Sequence, residues 1–304
     1  MQKQFILLTL LFVTLYAKMD KFDIRPLDYK GLEYQKIKIL DSKILSFQKF
    51  NDIKVTELSG LAYKNSYLYA LSDRGNLYKF SIAFQNTKIK KLKLVEAHKL
   101  RKEHSSLKSH DSEGLAWMDN NLLISFEQKH RVSLYSTNGV KISNMKINKK
   151  LRDLSNYDGK NKGLESVAYN EKYGIVTTPE KPLKNVSNKY HRLYTKNKIY
   201  KFKAKGKITG LDFIDADKVL VLLRKFNLYK LSKYTSLVAV DLSQCNKKQI
   251  CKTELLAAFS SKNGWNIDNF EGVTKVEKNR FLMISDDNNN FFQKTLLVLF
   301  EIMN

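Results

Sequence analysis

Short apolar runs, separated by turns rich in Asn, Asp, Gly and Lys, recur along this chain from Val55 to Ile302. Runs of this length, bounded by turn residues, predict strands rather than helices. In one stretch they fall at Gly114 to Trp117, Leu122 to Phe126, Val132 to Tyr135 and Val140 to Ile147. In another they fall at Leu211 to Ile214, Val219 to Leu223, Ser236 to Leu242 and Glu254 to Phe259. No segment carries a long 3.6-residue apolar period, so few helices are expected.

A repeat orders these runs. Five openers, Ser59-Gly60-Leu61, Glu113-Gly114-Leu115, Glu165-Ser166-Val167, Thr209-Gly210-Leu211 and Glu271-Gly272-Val273, are each followed by a closer. The closers end at Asp73, Glu127, Glu180, Arg224 and Asp286, always 14 or 15 residues after the opener. The midpoints fall in turn-like sequence such as Lys64-Asn65-Ser66, Asp119-Asn120-Asn121 and Glu277-Lys278-Asn279. Each copy therefore reads as a hairpin that sets opener beside closer.

Openers recur at intervals of 54, 52, 44 and 62 residues. Four strands in roughly 40–50 residues is the spacing of a β-propeller blade. The fold expected is all-β, a five-bladed propeller over residues 55–304, with six blades open if residues 30–55 build a degenerate one. After Asp286 only Leu296 to Ile302 reads as a further strand, so the last blade lacks its fourth. The segment 18–54 offers a donor at residues 36–47, which would close the ring and remove exposed sheet edges.

Hairpins arranged around an axis would bring the five opener–closer pairs to one rim. The groups gathered there are Ser59 with Asp73, Glu113 with Glu127, Glu165 with Glu180, Thr209 with Arg224, and Glu271 with Asp286 and Asp287. So many carboxylates need a compensating cation. Oxygen donors suit Ca²⁺ or Mg²⁺, and the candidate ligands are Glu113, Glu127, Glu165, Glu180, Glu271, Asp286 and Asp287. Arg74, Arg224 and His110, which sits beside Asp111, could reach an anionic ligand on the same rim. Ser and Asp at hairpin ends also cap turns, and Gly permits tight bends, so a purely structural origin of the repeat stays open.

Composition adds little to this picture. The formal charge is +24, but the lysines are scattered through every segment and no arginine-rich helix appears. A specific nucleic-acid site is not expected, although small anions would be drawn to the surface. Phe5 to Tyr16 is an apolar run behind Lys3, too short to span a bilayer comfortably and consistent with a signal peptide over residues 1–17. An exported protein, periplasmic or secreted, monomeric and without a membrane span after signal removal, is the expectation. Export permits a disulfide between Cys245 and Cys251 across a short loop. His98, His104 and His110 match no usual ligand spacing, and no phosphate-binding glycine loop, nucleophile elbow or His-Glu-x-x-His helix occurs.

One further pattern is more specific. Ser59-Gly60-Leu61, Asp111-Ser112-Glu113-Gly114-Leu115-Ala116, Asn161-Lys162-Gly163-Leu164-Glu165, Leu223-Arg224, Asn269-Phe270-Glu271-Gly272 and Ser285-Asp286-Asp287-Asn288 resemble the bacterial phytase-like family, labelled esterase-like activity of phytase. The likeness covers roughly residues 55 to 302 and implies an exported propeller that hydrolyses phosphoesters. Ser166 departs from it, standing where the other copies have glycine. On this resemblance Glu113, Glu165, Arg224 and Glu271 are the candidate catalytic groups, with metal-bound water attacking phosphorus and Arg224, with Arg74, neutralising charge. The alternatives are a non-catalytic cell-envelope propeller that binds a ligand or partner protein, and weak polyanion binding by the lysine-rich surface.

Overall fold

The computed structural model describes residues 18–47, 49–102, 111–159, 162–184, 186–229 and 231–303. The signal-like run 1–17, His104 and His110 lie outside the described residues.

Five antiparallel sheets form five blades. From the axis outward, blade 1 comprises Leu58–Lys64, Tyr67–Ser72, Asn76–Gln85 and Lys88–Lys99. Blade 2 comprises Ser112–Met118, Asn121–Phe126, Arg131–Tyr135 and Val140–Asn144, with Arg101–Lys102 added parallel at its edge. Blade 3 comprises Leu164–Asn170, Gly174–Pro179, His191–Tyr194 and Ile199–Phe202. Blade 4 comprises Lys207–Phe213, Lys218–Asn227, Ser232–Cys245 and Cys251–Ser260.

Blade 5 is built from both ends of the chain. Asn269–Lys275, Arg280–Asp286 and Thr295–Ile302 are completed by Ile37–Ser46, which pairs antiparallel with Thr295–Ile302. The N-terminal segment therefore supplies the missing fourth strand, and nothing remains of it for a sixth blade. Lys18–Lys21 adds an outer strand not expected from sequence. Tyr34 packs against Phe259 in the outer strand of blade 4 and Trp265 of the connection that follows, with ring centroids 5.4 and 4.4 Å away, and fastens the same segment to blade 4.

The innermost strand of each blade touches that of the next, and blade 5 returns to blade 1. Five apolar clusters follow, one in each wedge between neighbouring blades. Strands such as Tyr67–Ser72 and Arg280–Asp286 are packed on both faces, which is why they read as unbroken apolar runs instead of alternating ones. Each fully buried Leu or Phe contributes about 1.5–3 kcal/mol in these wedges. The outermost strand of blade 1 alternates, with Lys88, Lys90 and Lys91 in solvent, and such charge blunts an exposed sheet edge. These three lysines thus have a structural place. Cys245 and Cys251 are bonded across the turn between the two outer strands of blade 4.

Candidate active site

Every opener is a β-bulge. In blade 1 Leu58 faces Ser72 and Gly60 faces Leu71, leaving Ser59 without a partner in the ladder. The same slip leaves Glu165 between Leu164–Pro179 and Ser166–Thr178, Thr209 between Ile208–Leu223 and Gly210–Leu222, and Glu271 between Phe270–Ser285 and Gly272–Ile284. In blade 2 Glu113 and Gly114 together oppose Ser125. A bulge re-aims one side chain without breaking the sheet. Five in register turn five side chains at equivalent positions of the ring.

The adjoining glycine has its own reason. A Cβ on Gly60 would lie 2.9 Å from the Glu113 carbonyl and the Leu115 nitrogen of blade 2. One on Gly114 would lie 2.6 Å from Ser166 Cα and Val167 N of blade 3, and one on Gly210 would lie 2.9 Å from the Glu271 carbonyl of blade 5. Adjacent backbones meet here, and the axial space they enclose is about 10 Å³, room for about one water. At the blade 3 position the serine is accommodated, with its hydroxyl buried and unpartnered. Two bulge residues serve the same closure: Ser59 donates to the Ser112 carbonyl at 2.9 Å and Thr209 to the Phe270 carbonyl at 3.0 Å, each bridging to the next blade.

The other three bulge residues, Glu113, Glu165 and Glu271, form an acidic floor. Burial, followed by mutual repulsion, pushes Glu113 and Glu165 well above the usual carboxylate range. Glu113 keeps some exposure as a residue, but its carboxyl lies inside. Burial also raises Glu271, against the pull of Arg224 and Asn269. The Arg224 guanidinium stands 2.9 Å from Glu271, which also accepts from Asn269 Nδ2 at 2.8 Å, and Arg224 itself donates to Asn269 Oδ1. Burial works against the charge on Arg224, yet Glu271, Glu165, Glu180 and Asp286 hold it more firmly protonated than usual.

Above the floor, the closers divide by blade. Glu180 is buried but is held below its usual range by Lys207, at 2.5 Å, and by Lys162, at 3.4 Å. Asp286, buried beside Glu271 and Asp73, is pushed up to about 8 although it accepts from Asn288 N at 2.7 Å. Glu127, half-buried and near Glu180, is pushed up to about 7, and Asp73 to about 6, in both cases chiefly by desolvation. Blades 3 and 4 thus carry Lys162, Lys207 and Arg224, while blades 5, 1 and 2 carry Asp286, Asp73 and Glu127, none of which has a salt-bridge partner among the described residues.

Most of the predicted rim is therefore brought together, but two members have other tasks. Asp287 accepts from Thr56 Oγ1 at 2.7 Å and from the amides of Glu57 and Asn289 at 3.0 Å, with Thr295 on its second oxygen. It fastens blade 5 to the entry of blade 1, and these bonds hold it below the usual range against burial. Arg74 is exposed and paired with Glu57. Lys162 and Lys207 were not foreseen. Lys207 occupies a third repeat position, two residues before the opener, where Glu57, Asp111, Gly163 and Asn269 stand in the other copies. That position faces the closer in each blade: Glu57 O accepts from Asp73 N, and Asp111 O from Glu127 N at 2.8 Å. Glu57 and Asp111 adopt it with φ of 55° and 59°, a left-handed conformation that Asp tolerates better than Glu.

The acidic side chains of the bowl offer only oxygen ligands, the chemistry calcium prefers. Among the described residues, however, no three acidic, imidazole or thiol groups converge on one point. Within the seven-residue ligand set, internal lysines and an arginine already neutralise part of the charge. Arg224 Nε and Asp73 Oδ1 are buried without a hydrogen-bond partner. Orphans of this kind are costly, and each calls for a physical explanation such as a ligand or ordered water.

A model of the phytase-like family, described as esterase-like activity of phytase, matches residues 53–289. Among curated proteins no sequence matches the chain. Solved structures that align include a PQQ-bound aldose sugar dehydrogenase from Streptomyces coelicolor, at 9% identity and TM-score 0.45, over 88% of this chain and 98% of that one. A gluconolactonase from Xanthomonas campestris aligns at 10% identity and TM-score 0.42, over 94% and 96% of the two chains. Scores this low carry no argument, and the propeller assignment rests on the strand pairing itself.

Proposed function

The chain belongs to the phytase-like family, and on that premise we propose that it is a hydrolase of anionic esters, with phosphoesters the first class to test. The supporting observation is the divided bowl. Lys162, Lys207 and Arg224 stand with Glu113, Glu165 and Glu271 beside three acids, Asp73, Glu127 and Asp286, that form no salt bridge among the described residues. An anionic group of a substrate would lie against the cationic side, where guanidinium and ammonium groups stabilise charge that grows on its oxygens. The unpartnered Arg224 Nε–H supplies a donor there.

Glu127 is the acid suited to exchange a proton with substrate or water. It is half-buried, reachable from solvent, and poised near neutrality, where general acid–base catalysis is most effective. Glu271 and Glu165 act behind it, Glu271 setting the position of Arg224 and both holding its charge. Calcium stays within the proposal as an optional counterion for Asp73, Glu127 and Asp286, and no chemical step is routed through it.

The test is a panel of phosphomonoesters, phosphodiesters, carboxylic esters and lactones, assayed with and without calcium, for the wild type and Glu127→Gln. Turnover by the wild type should carry a pH limb near 7, and the variant should lose the limb and about 10²–10⁴-fold of the rate. No turnover on any member would defeat the hydrolase reading and leave a ligand-binding propeller.

A further inference from the structure

Among the described residues, twelve large apolar side chains are exposed, and six of them stand on two loops. Phe226, Leu228, Tyr229 and Leu231 occupy the hairpin between the second and third strands of blade 4. Phe291 and Phe292 occupy the loop between the second and third strands of blade 5. Tyr229 is 98% exposed, Phe291 95% and Phe292 85%. Water-facing aromatic residues at this density are not a product of composition, since most of the chain's Phe and Tyr are packed in the wedges.

The two loops belong to one surface. Phe226 and Lys225 from the first, and Asn288 and Gln293 from the second, line the same hollow of about 240 Å³, whose floor includes Arg224 and Asn269 of the bowl. The apolar tips thus flank the entrance to the candidate site. Polar groups line the hollow between them, so there is no continuous apolar face of the kind a folded partner covers.

The charge around the tips is one-sided. Lys225, Lys294 and Lys54 are exposed, Lys294 lies over the Phe22 ring and Lys54 donates to Asn289 on the blade 5 loop. The only carboxylate on either loop is Asp287, which is half-buried and hydrogen-bonded through both oxygens. Aromatic and aliphatic tips beside lysines, with a polar hollow between, match the boundary of a bilayer carrying negative headgroups, where rings enter the acyl edge and ammonium groups meet phosphate.

We propose that this face docks on an anionic phospholipid bilayer, with Phe226, Leu228, Tyr229, Leu231, Phe291 and Phe292 inserting and the bowl opening onto the headgroups. The inference does not rest on the hydrolase reading, because docking is measured without turnover.

The test places a reporter in the full chain. Phe291→Trp and, separately, Tyr229→Trp are mixed with phosphatidylglycerol vesicles, with phosphatidylcholine vesicles and with buffer, and the wild-type spectrum from Trp117 and Trp265 is subtracted. Both reporters should shift to the blue and be quenched by lipids brominated near the headgroup, with phosphatidylglycerol only, and the shift should reverse near 1 M salt, where the Debye length falls to about 3 Å. Because the readout is local to each loop, association through residues 1–17 would not produce it. Unshifted emission from both reporters overturns the proposal. So does an equal shift with phosphatidylcholine, or a shift that grows with protein concentration without lipid, which would mark a second copy of the chain as the occupant.

Discussion

Asp286→Asn should make the protein more stable, and increasingly so as the pH rises. In the folded state Asp286 is pushed from 3.8 to about 8 by burial and by Glu271, Asp73 and Asp287. An acid whose folded pKa lies above its unfolded one holds its proton in the folded state across the interval between them. Stability is therefore greatest below about 4 and declines as the pH climbs to about 8. At about pH 7 the interval crossed is roughly three units, which at about 1.4 kcal/mol per unit gives about 4 kcal/mol as the upper figure. Glu271 can take up part of the conflict by protonating in its place, so about 2–4 kcal/mol is the expected gain. The amide keeps the oxygen that accepts from Asn288 N, so the turn is preserved. Urea unfolding of both proteins at about pH 4 and about pH 7 measures the effect, with coincident curves at the lower pH and a higher midpoint for the variant at the upper one. A variant equally or less stable than the wild type at about pH 7 would refute the electrostatic account of the bowl. Calcium extends the same assay: an ion held by Asp286 would stabilise the wild type by RT ln(1 + [L]/Kd) and the variant much less.

Two further outcomes test the frame around the bowl. Gly114→Ala places a methyl group 2.6 Å from Ser166 Cα and Val167 N, which cannot swing aside, so thermal unfolding should show a loss of about 1–3 kcal/mol. Replacing Cys245 and Cys251 together by Ser, which opens a loop of sequence separation 6, should cost about 2 kcal/mol, and a reductant should lower the wild type to the same level.

The hairpins and the ring were legible because each leaves a periodic trace. The constant opener-to-closer distance reports a strand pair, and an unfinished last blade reports its donor at residues 36–47. What escaped the sequence was assignment within the repeat. Ser59, Thr209 and the three glutamates share one bulge position, yet the first two bond to the next blade and the others form the floor. Residue type suggests that division, but only the neighbouring carbonyls decide it. Lys207 escaped because its position, two before the opener, holds a different residue in every copy: Glu57, Asp111, Gly163, Lys207, Asn269. A position without a shared residue has no signature in a repeat search. Asp287, adjacent to Asp286 and identical in type, is set apart by Thr56, Glu57 and Thr295, contacts across some 230 residues of chain in the first two cases.

The pairing of Ile37 with Ile302 also sets an order of events during synthesis. The fourth strand of the final blade leaves the ribosome early, joined on that side only to Lys18–Lys21 and Glu33–Tyr34, and its partner within the blade, Thr295–Ile302, follows much later. Four blades can assemble meanwhile, but the ring stays open, with two unsatisfied edges, until Thr295–Ile302 has been made. Closing so long a loop is a slow, non-local step. A chain that stops before Thr295 would not become a smaller propeller. It would hold one open strand edge near its beginning, along Ile37–Ser46, and an uncovered sheet at its end, the two surfaces most apt to find each other in a second molecule.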